Sequence, residues 1–96
     1  MTTYSISYDL DSPNRNYAGV IAEIKRLANG YCSVTESHWL INSNSTAAEL
    51  CTSIYSKMDS GDKLIVHSVG NSWATNGMDN EVNSWLKNNW QSSCVA

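Results

Sequence analysis

A chain of 96 residues, 42% hydrophobic and 16% charged, has enough apolar surface for one core, which excludes a second domain and sets the sequence on the globular side of the boundary with disorder. A net charge of −3, with only six basic residues (Arg15, Lys25, Arg26, Lys57, Lys63 and Lys87) scattered along the sequence, excludes tight sequence-independent binding of nucleic acid by a monomer, because that mode needs many cations to displace condensed counterions. No apolar run is long enough to cross a bilayer, and Met1-Thr2-Thr3-Tyr4 lacks a basic segment followed by an apolar one, so a cytoplasmic protein with no membrane partner is expected.

Residues Tyr4 to Leu10 alternate, with Tyr4, Ile6, Tyr8 and Leu10 on one side and Ser5, Ser7 and Asp9 on the other, which predicts a strand with one buried face. Asp11 to Asn16 is dense in turn formers and caps and leads into Tyr17, Val20, Ile21, Ile24 and Leu27 at helical spacing. Asn29-Gly30 is then expected to stop that helix in a left-handed conformation. From Tyr31 to Ser43 the chain is rich in β-branched and aromatic residues, and Thr35-Glu36-Ser37 is its one plausible turn, so a hairpin is predicted. Thr46 and Glu49 form a T-x-x-E capping pattern ahead of a second helix carrying Leu50, Ile54, Tyr55 and Met58. Asp59-Ser60-Gly61-Asp62 breaks that pattern. Lys63 to Val69 reads as a fourth strand, too continuously apolar to assign one buried face. After a polar loop around Trp73, the residues Met78, Val82, Trp85, Leu86 and Trp90 share one face of a C-terminal helix over about 78–90, followed by a frayed tail, 91–96.

The order βαββαβ, with right-handed crossovers, predicts a single α+β domain over 1–96. It is a ferredoxin-like sandwich in which strands one and three lie at the middle of a four-stranded antiparallel sheet and both helices cover one face. Ser5, Ser7 and Asp9 would face the other side, which a second subunit or the Trp-bearing C-terminal segment must cover.

The cysteines Cys32, Cys51 and Cys94 are odd in number and include no C-x-x-C pair, which argues against a disulfide framework or a structural zinc site. Asp9 at a strand end and Asp11 two residues on are usable ligands for magnesium or manganese, although aspartates there also serve as turn formers and caps. His67, in a strand that neighbours strand one, could stand near Asp9 as a base or ligand if its side chain takes the open face; His38 has the same ambiguity of face. No phosphate-binding glycine loop is present, so no nucleotide cofactor is expected. Trp73, Trp85 and Trp90 could stack on bases, but at helical spacing in a small domain they more often build core.

Three stretches, Tyr4-Ser5-Ile6-Ser7-Tyr8-Asp9-Leu10, Glu36-Ser37-His38-Trp39-Leu40-Ile41 and Asp62-Lys63-Leu64-Ile65-Val66, together with Pro13, Arg15 and Tyr17, resemble the SinR-like proteins, small relatives of the CRISPR-associated Cas-two and VapD families. The resemblance implies a ferredoxin-like homodimer. It also implies a metal-dependent endonuclease acting on RNA or DNA, with Asp9 catalytic, Asp9 and Asp11 holding Mg or Mn, Arg15 touching nucleic acid, and Ser7 and His67 as accessory groups. The acidic balance of the chain favours the alternative of a non-catalytic dimeric adaptor or regulator that binds a partner protein or nucleic acid.

Overall fold

The alternation read from Tyr4 to Leu10 is realised in β1 (Thr2–Asp9) of the computed structural model, which describes residues 1–11 and 17–90. Tyr4, Ile6 and Tyr8, with Leu10 just beyond the strand, are buried in a core shared with α1 (Tyr17–Leu27) and α2 (Ala47–Tyr55), which contribute Val20, Ile24, Leu50 and Ile54. The hairpin consists of β2 (Gly30–Thr35) and β3 (His38–Ser43), with a bulge between Ser33 and Thr35. β4 (Lys63–Ser68) follows α2. Strand order is β2-β3-β1-β4 and every pairing is antiparallel, the α+β ferredoxin-like arrangement expected of the element order.

Local chemistry explains most boundaries. Thr46 and Glu49 close the capping box: the Glu49 amide donates to Thr46 Oγ1 at 3.1 Å and the Thr46 amide to Glu49 Oε1 at 2.9 Å. The end of α1 differs from the expectation. Among the described residues only Gly61 and Gly77 have positive φ, so neither Asn29 nor Gly30 is left-handed. Instead the Asn29 amide donates to the Asn42 carbonyl at 2.8 Å, and this bond carries the chain straight into β2. The interior pairing substitutes for a glycine C-cap because β2 must start at once to reach its register with β3. The turn-forming segment 12–16, with Pro13 and Arg15, and the tail 91–96, with Cys94, lie outside the described residues.

α3 (Asn80–Asn89) resolves the question of the second sheet face. Val82 and Leu86 pack with Cys32, Leu40 and Val69, and Met78, Trp73, Trp85 and Trp90 gather around them. The C-terminal segment thus covers part of that face, and the tryptophans build packing as their spacing predicts. Polar groups fix its position as well. Asn42 Nδ2 donates to the Asn89 carbonyl at 2.8 Å, Thr3 Oγ1 donates to Asn42 Oδ1 at 2.5 Å, and Trp90 Nε1 donates to the Gly70 carbonyl at 2.9 Å. Thr3 and Asn42 are buried, so the chain from Thr3 through Asn42 to Asn89 satisfies groups that would otherwise be stranded beneath the helix. Trp39 Nε1, also buried, finds no hydrogen-bond partner among the described residues, and burial raises the pKa of the Tyr8 phenol in the same core.

Candidate functional site

The sheet register decides which side chains share the α3 side. Ser5 is opposite His67, Ser7 is opposite Ile65 and also His38, and Asp9 is opposite Lys63. Leu64 and Val66 pack toward the main core, so Lys63, Ile65 and His67 take the second face and the parity that the sequence leaves open is settled.

Asp9 is exposed at the end of a central strand, and a shallow hollow of about 240 Å³ is lined there by Ser7, Asp9, Lys63 and Ile65. His67 does not reach it. Its register position is four residues along β4 from Lys63, roughly 13 Å at strand rise. Asp11 does not line this hollow; its backbone amide donates to Asp62 Oδ1 at 2.9 Å, and the Asp59 amide donates to Asp62 Oδ2 at 2.8 Å. Asp62, which sequence reading treated only as part of a breaker, is therefore the buried carboxylate that ties the α2–β4 turn to the end of β1. Gly61, with φ of 98°, makes that turn possible. Among the described residues no three His, Cys, Asp or Glu side chains gather as a metal site. One copy of the chain offers Asp9 beside a lysine, and a magnesium or manganese ion there would need further oxygen donors from water or a second subunit.

A second cleft, about 370 Å³, opens between the sheet and α3. Its floor is polar at one end, where Ser5 Oγ and His38 Nε2 are 2.8 Å apart and His67 lies on the neighbouring strand; Leu40, Val69 and Trp73 supply apolar walls. His67 Nδ1 donates to the Ser68 carbonyl at 3.0 Å, since that oxygen can only accept, which leaves Nε2 of the neutral ring as an acceptor. Burial, and secondarily the neighbouring His67, lowers the His38 pKa below its usual 6.5, so His38 is neutral at pH 7. The pair resembles the nucleophile and base of a hydrolase only in distance. Ser5 sits inside a central strand flanked on both sides, where backbone amides are committed to ladders, and among the described residues no carboxylate is hydrogen-bonded to His38. This arrangement can bind a ligand through hydrogen bonds in an apolar cleft. Sequence reading named both histidines, but their convergence on Ser5 becomes visible only with the register.

Of the residues expected to act together, Ser7 and Asp9 share a hollow, Asp11 and His67 stand apart from it, and Arg15 lies outside the described residues. No family model matches the sequence, and no curated protein is significantly similar to it.

Proposed function

We propose that this chain is a dimeric adaptor or regulator that acts by binding, through the β4 margin of its sheet, and not by catalysis. One observation carries the reading: among the described residues β4 pairs only with β1, and Ile65, on the part of its face that α3 leaves uncovered, is 58% exposed. An unpaired strand edge beside an exposed large apolar side chain is a template for strand addition, and a two-fold axis at β4 would satisfy both copies with the same surface. The charge balance supports a protein surface as the partner over nucleic acid, since six basic residues stand against nine acidic ones.

Size exclusion with light scattering tests it: the wild type is expected at about twice 10.6 kDa. Burying one Ile65 side chain in each copy contributes about 1.5–3 kcal/mol per side chain, so Ile65→Lys should weaken association by at least about tenfold. A wild type that stays monomeric across micromolar concentrations overturns the reading.

The nuclease reading retains one supporting observation, a solvent-facing Asp9 with Lys63 across the strand, where a carboxylate and a cation could meet a metal and a phosphate. Asp9→Asn keeps size and removes charge. Metal-dependent cleavage of RNA or DNA by the wild type that this variant loses would replace the adaptor reading. Absence of cleavage supports the adaptor reading, and equal cleavage by both removes Asp9 as the catalytic group.

A further inference from the structure

A further cleft, of about 540 Å³, lies away from both of these sites, between the β2 edge, α1 and the first turn of α3. It wraps around the β2 edge, lined by Tyr31 and Trp39 on the α1 side of the sheet and by Trp85, Asp79 and Glu81 on the α3 side. Tyr31 and Trp39 stand with centroids 5.9 Å apart and planes tilted by 54°, so the two rings form a corner and do not stack flat. The Lys25 ammonium lies in that corner, 5.3 Å from the Tyr31 centroid and 5.8 Å from the Trp39 centroid. Both distances are within the range where a cation is attracted by the negative face of a ring.

Two features show that this corner is more than a resting place for one lysine. Tyr31, a large aromatic residue, remains exposed at the β2 edge instead of being packed away. Asp79 occupies the N-cap of α3, where an aspartate ordinarily accepts a helix amide, yet its side chain makes no capping bond. Its carboxylate is left to the cleft, as is that of Glu81 in the first helical turn. Against the single charge of Lys25 the lining therefore carries two negative charges, and the deficit is one cation.

We propose that this cleft is a recognition site for an organic ammonium, of the weakly hydrated, methylated kind, which takes the place of Lys25 against the Tyr31 and Trp39 rings, while Asp79 and Glu81, across the β2 edge on the α3 side, attract its charge from a distance. Aromatic faces favour such a cation over a metal ion, which demands close oxygen ligands and releases its water reluctantly. Lys25 acts as an internal occupant: it holds the corner open, keeps the rings apart and competes with the incoming group. The same chemistry is offered by a free quaternary ammonium compound and by a trimethylated lysine in a partner protein.

The full chain, 15N-labelled, would be titrated with choline, with a short peptide bearing trimethyllysine, and with 3,3-dimethylbutan-1-ol, the uncharged isostere of choline. The readout is the indole N–H resonances of Trp39 and Trp85. Saturable shifts at these two tryptophans with either cation, weaker by about 3- to 30-fold with the isostere, are expected from the size of one cation–π contact. The cation that binds more tightly identifies the source as free molecule or protein side chain. Lys25→Met removes the competitor and should tighten binding several-fold, whereas Asp79→Asn with Glu81→Gln should weaken it. Because those two acids are exposed and the first makes no cap bond, the double variant keeps the fold and serves even if Lys25→Met does not. Absence of saturable shifts in the wild type and in Lys25→Met, or equal response to the isostere, overturns the proposal.

Discussion

At the scale of single residues, His38 gives the domain a pH response whose direction follows from its surroundings. Burial first, and His67 second, lower its pKa from 6.5 in the fold. The unfolded chain therefore takes up the proton first as pH falls, and the stability that depends on neutral His38 is complete above about 6.5 and is lost as pH drops through the lower folded value. Glu23 and Glu49 are also held low, Glu23 chiefly by its hydrogen bond to Arg26 and Glu49 by the Thr46 amide, but their contributions are lost only below the usual carboxylate value of 4.5. The two windows separate. Urea midpoints should fall between pH 7.5 and 5.5 for the wild type and stay nearly flat for His38→Gln, whose amide can still bond Ser5 without titrating. An unchanged slope in the variant would assign the response to another group.

At the scale of elements, α3 is the piece on which the second core depends. Leu86 is 3% exposed between Leu40 and Val69, so Leu86→Ala should cost about 2–5 kcal/mol, read as a shift in denaturation midpoint. A loss below about 0.5 kcal/mol would mean that the helix is only loosely held. Its apolar stripe was plain from the spacing of Val82, Trp85, Leu86 and Trp90, as were α2 from its capping box and β1 from its alternation. What holds α3 in place was not plain: Thr3 precedes the strand that the alternation predicts, Asn42 is one polar residue in the hairpin segment, and only the direct pairing of Thr3 with Asn42 makes them a buried clamp on Asn89. The face of β4 was hidden for a related reason. Lys63-Leu64-Ile65-Val66 carries apolar side chains on both faces, because Ile65 serves an exposed surface and not the core, and period-two reading fails where the pattern has a second purpose. The Ser5, His38 and His67 convergence depended on that same parity, whereas Asp9 could be placed from β1 alone.

At the scale of the whole molecule, the sheet is covered unequally. α1 and α2 close one face, α3 closes the β2–β3 side of the other, and the β4 margin keeps an unpaired edge with Ile65 beside Ser7 and Asp9. Backbone groups on a free edge exchange with solvent faster than those between two strands, so β1 and β3 amides should be the slowest to exchange and those of the two edge strands, β2 and β4, the fastest of the ladder. Association through the β4 edge would alter the β4 amides and leave those of β2 as they are. Hydrogen exchange followed by mass spectrometry, at concentrations below and above the dimer transition, is expected to show β4 protection rising with concentration while β1 stays constant. Ile65→Lys should abolish the rise and leave β1 unchanged, which separates loss of the interface from loss of the fold. If β4 exchange proved independent of concentration across a range where scattering reports a dimer, the two copies would have to meet through another surface, and the margin of β4 would lose its assignment as the binding edge.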